Sequence, residues 1–384
     1  MIRNTQPVTR NSPHPPDTGS LSQWELTRLR FSKHGLAVAS LLVLGVLYLM
    51  ALLAEFVAPH NPNQHHLDYI YAPPQIPTWS PQGGWRAPHI IQQTDPITLK
   101  TYYLKDPENS IPLTFFPKTE PGTRLVGLLP LPVKFFGVDD RRAAREGIAM
   151  ESTAFFFLGT DQFGRDLFSR IVHGARVSLS IGLVAILVTF LLGVLIGGIS
   201  GYMSGTIDNL IQRFIEIINA FSQLPLWLAL AAIMPTDWSS LQVYFAVTVV
   251  LSLLNWTSLA RVVRGKILAL REEDYALAAK LLGASHGRIL FRHLVPGFTS
   301  HMIVVLTLSV PVMILGETAL SFLGLGLRAP VVSWGVMLQE CLHLRVVANY
   351  PWLLTPVITI LLTVLAFNFL GDGLRDAADP YSDR

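Results

Sequence analysis

Residues 274–296, DYALAAKLLGASHGRILFRHLVP, form a polar and basic stretch between two long apolar segments. Because each flanking segment is apolar enough to cross a bilayer, this stretch must lie at a membrane surface. Asp274 is placed to cap a first helix that ends near Gly283. Ser285 is placed to cap a second helix, and Pro296 to end it. The sequence therefore predicts a helix, a glycine turn and a second helix.

The first of these helices has an unusually small side. Ala276, Ala279 and Gly283 recur at spacings of three and four, so they share one face. The spacing alone leaves two interpretations open. The stretch is either an interfacial hairpin that only connects two spans, or a docking element for another protein.

A resemblance favours docking. The pattern Ala278-Ala279, three residues, Gly283 and then Pro296 resembles the "EAA" loop of ABC importer permeases, which such subunits insert into a cleft on an ATPase partner. Leu277 stands where that signature has Glu, which removes an acidic contact but keeps the small helix and the turn. The resemblance implies a set of ATPase-coupling residues: Tyr275, Ala276, Ala278, Ala279, Gly283, Ala284, Ser285, Arg288 and Pro296.

The composition is that of a membrane protein. Among 384 residues, 51% are hydrophobic and 14% are charged, and the mean hydropathy is +0.43. The net charge of +3 does not indicate a nucleic-acid partner, because the basic residues lie in short segments beside apolar spans. The single Cys341 excludes an intrachain disulfide and a thiol zinc site. We expect no metal, cofactor or nucleic acid.

The beginning of the chain predicts its orientation. Residues 1–34 read as a cytoplasmic tail, mobile over the first twenty positions and helical before residue 34. An apolar run at 35–58 follows directly after the basic residues Arg28, Arg30 and Lys33. Under the positive-inside rule, basic residues in this position retain the N-terminus in the cytoplasm. The run is too long for a cleaved signal peptide, so we interpret it as the first transmembrane helix.

Residues 59–157 form an insert of different character, rich in proline and paired aromatic residues. After a first span from the cytoplasm, this insert is extracytoplasmic. Short β-prone pieces predict a small subdomain or an extended lid, at 97–104, 111–116 and 131–138. Three histidines, His60, His65 and His66, suggest a metal site. No carboxylate or cysteine stands beside them at ligand spacing, so a solvated loop is the better interpretation.

Residues 157–179, FLGTDQFGRDLFSRIVHGARVSL, combine turn glycines with opposite charges that can pair locally, such as Asp161 and Arg165. By itself the stretch is typical of a charged surface helix that leads into a span. It also strongly resembles the segment that opens the core of oligopeptide and dipeptide permeases. The end of the chain, PVITILLTVLAFNFLGDGLRDAADPYSDR, is similar to the same family, so the resemblance covers about 157–380.

Five further spans are predicted within a core permease domain at 158–371. They lie at 177–199, 210–234, 241–259, 301–320 and in a last segment that ends at 371. Glycines along the first of them predict close helix packing; they are Gly193, Gly197, Gly198 and Gly201. Residues 317–338 suit a re-entrant or interfacial turn on the outer side. We expect an all-α membrane protein with six transmembrane helices and, by resemblance, the type I ABC importer permease fold.

The coupling loop at 261–297 is the most basic short loop, so it should be cytoplasmic. Counting spans from a cytoplasmic N-terminus gives the same side, and it makes the tail at 372–384 cytoplasmic too.

Two carboxylates fall within spans, where a charge costs about 2.5–3.5 kcal/mol. Glu317 lies near the outer end, where water can reach it, and Glu216 has Arg213 at i,i+3. A role in the translocation path or gate competes with packing or helix capping.

The chain contains no G-x-x-x-x-G-K-[ST] phosphate loop, so we expect it to hydrolyse no ATP and not to be an enzyme. The resemblance implies a permease subunit of a binding-protein-dependent ABC importer in a bacterial inner membrane. Its partners would be a second homologous permease, two cytoplasmic ATPase subunits, an extracytoplasmic solute-binding protein and membrane lipid. Short peptides are the expected solute, with oligosaccharides or nickel as alternatives. A secondary transporter would need a midplane ion site and repeats, which are not found, whereas composition leaves a channel open.

Overall fold

Helices, one four-stranded β-sheet and one two-stranded hairpin form the regular structure of the part of the chain that the computed structural model describes, residues 23–81, 84–97, 101–119, 122–148, 154–235 and 237–378. The predicted mobile tail at 1–20 and the last six residues of the chain lie outside these ranges. In chain order the helices are α1 (Gln23–Lys33), α2 (Gly35–Leu52), α3 (Ala54–Val57), α4 (Asp140–Arg145), α5 (Leu167–Met203), α6 (Gly205–Asn219), α7 (Gln223–Ala232), α8 (Ser240–Leu270), α9 (Asp274–Leu281), α10 (His286–Arg288), α11 (Thr299–Phe322), α12 (Trp334–Leu338), α13 (Leu344–Asn349) and α14 (Thr355–Ala378). The last helix therefore continues past residue 371.

Five helical segments of this described part are long and apolar enough to cross a membrane. They are Gly35–Leu52, Leu167–Met203, Ser240–Leu270, His286–Phe322 and Pro351–Ala378. The pair α6 and α7 makes a sixth if it is taken as one span, but its two halves meet at 83°. This agrees with the predicted six-span membrane fold, with one span broken.

The prediction of a continuous span at 210–234 is wrong at its middle. Helix α6 ends at Asn219, and Ser222 has an extended conformation with φ −66° and ψ 130°. A proline ring clashes with the carbonyl four residues earlier, and Pro225 stands four residues after Phe221. The chain avoids this clash by turning before α7 begins, so the proline falls in the first turn of the new helix.

Helix α5 is much longer than the span predicted at 177–199. It begins at Leu167, where the Asp166 carboxylate accepts a hydrogen bond from the Ser169 amide at 3.0 Å. Its 37 residues extend about 56 Å, well beyond the roughly 30 Å hydrocarbon core. The charged stretch at 157–179 is therefore not a separate surface helix, because its second half forms the first turns of α5.

The packing of α5 against α8 depends on glycine. A Cβ placed at Gly197 would lie 2.4 Å from the carbonyl oxygen of Ala260, and one at Gly201 would lie 2.8 Å from that of Arg264. At Gly193 it would meet the Leu259 side chain at 2.7 Å. The two backbones thus approach more closely than any side chain allows, and the predicted close packing is confirmed.

The insert contains an antiparallel sheet with strand order β1-β2-β3-β6. Its strands are β1 (Thr78–Ser80), β2 (Gly84–Thr94), β3 (Thr101–Phe115) and β6 (Phe136–Val138), and a separate hairpin joins β4 (Arg124–Leu125) to β5 (Leu129–Pro130). Trp79 pairs with Trp85 and Phe115 with Phe136, and a register shift follows Pro88. Residues 101–104 and 111–115, parts of two predicted β-prone pieces, belong to the single long strand β3, which favours a small subdomain over an extended lid.

Backbone contacts tie the insert to the start of α5. The His66 amide donates to the Gly164 carbonyl at 3.3 Å, and the Thr160 amide donates to the Ala72 carbonyl at 3.0 Å. Gly159 and Gly164 have φ values of +81° and +69°. A Cβ at Gly164 would lie 1.9 Å from the His66 carbonyl oxygen, so only glycine fits this junction.

Three of the insert's histidines, His60, His65 and His66, do not share one environment. His60 and His66 pack against Phe156 with ring centroids 5.3 and 5.1 Å apart, so the prediction of a solvated loop is wrong for these two. His65 is exposed and stacks on Phe163. Among the described residues, no group of three or more His, Cys, Asp or Glu side chains is arranged to hold a metal ion.

We predict that Gly197→Ala lowers the melting temperature of the purified protein in detergent. The new methyl group meets backbone at 2.4 Å, and overpacking of this kind costs about 1–3 kcal/mol. Gly45→Ala is the matched control, because a Cβ there has no neighbour within 4 Å. Equal melting temperatures for the two variants, measured by tryptophan fluorescence, would show that α5 and α8 are not held this closely.

Candidate functional site

The stretch predicted as a helical hairpin begins with α9 (Asp274–Leu281). The residue at its N-cap is Glu273, which makes no side-chain cap hydrogen bond. The prediction that Asp274 caps this helix is therefore wrong by one residue. Asp274 is instead the first helical residue, where its negative charge still interacts favourably with the helix dipole.

The turn after α9 is closed by two backbone hydrogen bonds. The Ala284 amide donates to the Ala279 carbonyl, and the Gly283 amide donates to the Lys280 carbonyl, both at 3.0 Å. This pair of bonds defines a Schellman motif, which requires a left-handed residue after the helix. Gly283 supplies it with a φ of +79°. The predicted glycine turn at Gly283 is confirmed.

The second limb of the hairpin starts as predicted but does not stop. The Ser285 hydroxyl accepts the Arg288 amide, which confirms it as a cap. Beyond α10 a π-helical turn at Ile289–Leu294 and a 3-10 turn at Val295–Phe298 lead directly into α11. The prediction that Pro296 ends this limb is wrong. Proline is tolerated in the first turn of a helical segment, where its missing N–H has no partner to lose.

The small face of α9 is turned towards its own chain. Ala276 is only 3% exposed and lies in one cluster with Ile289 and Leu290 of the second limb. Ala279 and Ala284 are partly buried against the same cluster. Ala276 therefore cannot contact a partner, and its predicted coupling role can only be indirect. Of the other predicted coupling residues, an exposed set remains: Tyr275, Ala278, Gly283, Ser285, Arg288 and Pro296.

Leucines form the outer surface of the hairpin. Leu281 and Leu282 are each 88% exposed, and Leu277 is exposed beside them. From the sequence, Leu277 was noted only as a departure from the Glu of the signature, and Leu281 and Leu282 were treated as ordinary helix residues. The available signal was a Leu-Leu pair directly before the turn glycine, in a segment that lies outside the bilayer. An apolar surface of this kind, rimmed by charged residues, is typical of a protein contact.

The base of the hairpin belongs to the core of the helix bundle. Buried side chains from both of its limbs and from three long helices form one cluster, comprising Val194, Leu259, Val263, Ile267, Ala276, Ile289, Leu290, Leu294, Phe298 and Met302. Because such a core is close-packed, a displacement of the hairpin must be transmitted to α5, α8 and α11.

Polar contacts hold the same region together. The Arg271 guanidinium donates to the Gly201 carbonyl at 3.1 Å and to the Ser204 hydroxyl. The Tyr202 hydroxyl lies 3.0 Å from His286 Nδ1. The end of α5 is thereby tied to both roots of the hairpin. Neither Arg271 nor His286 was among the predicted site residues.

A further ion pair braces α6 against α8. Both guanidinium contacts of Arg264 with the Asp208 carboxylate are 2.6 Å long, and the Ser200 hydroxyl donates to the same carboxylate. Charge-assisted, two-pronged pairs of this kind fix orientation as well as distance. The bent α6–α7 segment is therefore held to the helices that carry the hairpin.

Amide side chains gather at the bend between α6 and α7. The Gln223 amide donates to Asn255 Oδ1 at 3.0 Å, and the Thr257 hydroxyl donates to Asn219 Oδ1 at 3.0 Å. Asn219, Gln223, Asn255 and Ser258 line a pocket of about 220 Å³. Polar groups at this depth in candidate spans are expensive and point to function. Sequence reasoning considered only charged residues within spans and so missed them.

Glu317 is fully buried, so the prediction that water reaches it is wrong. Its carboxylate accepts three hydroxyl hydrogen bonds, from Ser178 at 3.0 Å, Ser321 at 2.9 Å and Ser333 at 2.8 Å. These serines belong to α5, to α11 and to the segment that folds back before α12, whose Trp334 is also fully buried. Glu317 therefore joins three elements, which favours packing over a gate.

Glu216 differs from Glu317 in its exposure and in its partners. Its side chain is 60% exposed and bonds only locally, to Arg213 at 2.7 Å. The i,i+3 pair predicted from the sequence is confirmed. The structure does not bring Glu216 and Glu317 into a common site, because their hydrogen-bond partners lie on different elements.

The motif at 157–179 forms a charged cluster on the insert side. Arg165 bonds Asp161 at 2.6 Å, which confirms the predicted local pair, and it also contacts Glu340 at 3.4 Å. Burial raises the pKa of the Glu340 carboxyl to about 7, and the Asp161 charge adds to this rise while Arg165 opposes it. The cluster fastens the segment after α12 to the beginning of α5.

We predict that Glu317→Leu lowers the free energy of unfolding by several kcal/mol. The change leaves three buried hydroxyls without their acceptor, and each orphaned group costs about 1–3 kcal/mol. Glu216→Leu is the control, since an exposed ion pair contributes about 0–1 kcal/mol. Thermal unfolding in detergent measures both. If the two variants are equally stable, the hydrogen bonds to Glu317 do not support the fold.

The sequence is also similar to those of known protein families. Residues 193–382 match the model of the binding-protein-dependent transport system inner membrane component, and residues 22–74 match that of the N-terminal TM domain of oligopeptide transport permease C. Most of the insert lies between the two matches.

Three relatives illustrate the similarity. The chain is 42% identical to the dipeptide transport system permease protein DppC of Alkalihalophilus pseudofirmus over 59% of its own length and 73% of the relative's. It is 40% identical to the oligopeptide transport system permease protein OppC of Bacillus subtilis (58% and 71%), and 41% identical to OppC of Escherichia coli (64% and 79%). With these matches and its apolar helices, the chain belongs to the family of membrane permease subunits of binding-protein-dependent ABC importers, in its oligopeptide and dipeptide branch.

Proposed function

We propose that this chain carries short peptides into the cytoplasm as one of two permease subunits, and that it borrows its energy from two ATPase subunits. The relatives named for dipeptides and oligopeptides support peptides over the oligosaccharide or nickel alternatives. A solute-binding protein outside the membrane would deliver the solute. The observation that carries the proposal is the hairpin, which presents leucines to a partner and is packed at its base against three spans.

The hairpin would face the cytoplasm, with both termini on the same side. Arg176, early in α5, bonds Glu55 just beyond α2, so the end of α2 lies beside the start of α5. His34 at the start of α2 lies 3.7 Å from Asp376 near the end of α14. This arrangement supports a common membrane side for three segments: the basic N-terminal tail, the C-terminal tail at 372–384 and the coupling loop at 261–297. The insert at 59–157 would then lie outside.

In this proposal the ATPase acts on the hairpin as on a lever. Leu277, Leu281 and Leu282 would enter the ATPase cleft, and closure of the ATPase dimer would displace them. The second limb leads into α11 through a π-helical and a 3-10 turn and shares its core with α5 and α8, so its movement would tilt α11 relative to those helices. The permease would thereby alternate between outward and inward access.

The path for the solute would run along the bend between α6 and α7. Its amide side chains, among them Gln223 and Asn255, offer both donors and acceptors that suit a peptide backbone. A second permease subunit facing this surface would complete the passage. Glu216, exposed on α6, would lie at the same subunit interface, whereas Glu317 is fully buried and would have no contact with the solute.

The first test compares two glycines of the hairpin. A Cβ has open space at both Gly283 and Gly287, but only Gly283 has a positive φ. An L-residue in that conformation costs about 1–2 kcal/mol, so we predict that Gly283→Ala loosens the turn and lowers ATP-dependent peptide uptake several-fold. Gly287→Ala should retain uptake. The assay uses the assembled importer in vesicles, with equal amounts of membrane-inserted subunit.

Equal uptake by these two variants would contradict the role of the turn as the corner of a lever. A loss of both uptake and membrane insertion in Gly283→Ala would instead mean that the turn is needed only for folding.

The second test concerns the leucine surface. We predict that Leu282→Glu weakens binding of the ATPase subunits at least about ten-fold, because a charge must be desolvated within an apolar contact. Leu344→Glu is the control, since Leu344 on α13 is 82% exposed and lies away from the hairpin. Titration of the purified ATPase onto reconstituted permease measures the affinity. Unchanged affinity for Leu282→Glu would rule out the hairpin tip as the ATPase contact.

A further inference from the structure

An apolar cavity of about 560 Å³ lies between α2 and the insert sheet. Val46, Leu49 and Leu53 form its helix side, and Phe115 and Phe135 form part of its sheet side. Every residue that lines it is aliphatic, aromatic, methionine or proline. The permease function proposed above makes no use of this cavity.

The cavity continues a stripe on the surface of α2. Leu42, Val46, Leu49 and Leu53 recur at intervals of four, three and four residues, which places them on one face of the helix. The first three of these residues are each more than half exposed. Because α2 is long and apolar enough to cross the bilayer, this exposed face is placed to contact lipid. The stripe leads from the hydrocarbon directly into the cavity.

The dimensions fit one leaflet. From Val46 to Val57, both of which line the cavity, the chain rises at most about 16.5 Å at helical spacing, because α2 ends at Leu52 and α3 starts after Leu53. Half of the hydrocarbon core is about 15 Å. A linear chain that lies along this wall thus has the length available to an acyl chain between the middle of the bilayer and its surface.

Hydrogen bonds keep the cavity open at the insert. The Phe135 amide donates to the Phe56 carbonyl at 2.7 Å, and the Lys134 ammonium donates to the Pro59 carbonyl at 2.6 Å. The aromatic wall is therefore pinned to the chain just beyond α2. These bonds fix the position of the wall relative to the end of α2.

We propose that this cavity binds one acyl chain of a phospholipid from the leaflet on the insert side. An acyl chain has no hydrogen-bonding group, which matches a lining without polar side chains. A peptide in the same place would leave its backbone N–H and C=O groups without partners. The phospholipid joins α2 to the insert, and its headgroup remains in water at the mouth of the cavity.

The experiment uses the assembled importer, reconstituted in vesicles of phosphatidylethanolamine and phosphatidylglycerol. A small fraction of phosphatidylcholine carries a diazirine on one acyl chain, and crosslinked residues are identified by mass spectrometry. We expect crosslinks on Trp85, Phe115 and Phe135, which belong to the insert and not to a span. Leu49→Trp fills the cavity and should reduce these crosslinks several-fold. Leu361→Trp, on the exposed face of α14, should leave them unchanged.

Two results would overturn the proposal. One is the absence of crosslinks on the insert residues in the unmodified importer. The other is an equal yield with Leu49→Trp, since the insert would then touch bulk lipid without a bound chain. A photoreactive residue at Leu53 gives a second measurement: capture of phospholipid supports the proposal, whereas capture of the second permease or the binding protein contradicts it. Peptide uptake is not the readout, so failure here leaves the transport function untouched.

Discussion

The close approach of α5 and α8 is the constraint on which the rest of the bundle depends. Glycines on α5 bring its backbone against that of α8, with Gly197 facing the Ala260 carbonyl. In a lipid environment apolar side chains gain little by leaving the solvent, so this packing, and not hydrophobic burial, must hold the helices together. Gly198 extends the same surface to Leu290 of the hairpin, whose side chain a Cβ would meet at 3.2 Å. The hairpin is thus seated on the contact that fixes the bundle.

Polar groups complete this arrangement at each end. Glu317 gathers three serine hydroxyls on the insert side, and Asp208 binds Arg264 on the hairpin side. Burying either carboxylate without partners costs free energy, and the hydrogen bonds that it forms with its partners are strongly directional. Close packing sets the distance between the helices, and these bonds set their rotation. Both are needed if a push on the hairpin is to move α11 as a unit.

Much of this could be read from the sequence, and each failure has a physical cause. The glycine packing, the corner at Gly283 and the Asp161–Arg165 pair were predictable because each depends on residues close in sequence or on one helix face. The break before Pro225 was missed because hydropathy registers an apolar run and ignores a steric clash. The burial of Glu317 was missed because its partner Ser178 is 139 residues away. The burial of Ala276 could not be read from the sequence, since a small face packs equally well against its own chain or a partner.

The two roots of the hairpin differ, and that difference sets how it can move. On the side of α8, Arg271 clamps the chain to the end of α5 through a carbonyl and a hydroxyl. On the side of α11, a π turn and a 3-10 turn replace regular helix, and their hydrogen bonds are less favourable than those of an α-helix. Deformation should therefore concentrate at the second root, while the first stays fixed to the bundle. Pro311 further removes one backbone hydrogen bond within α11. A lever with one firm and one compliant root rotates about the firm one, which carries α11 relative to the α5–α8 pair.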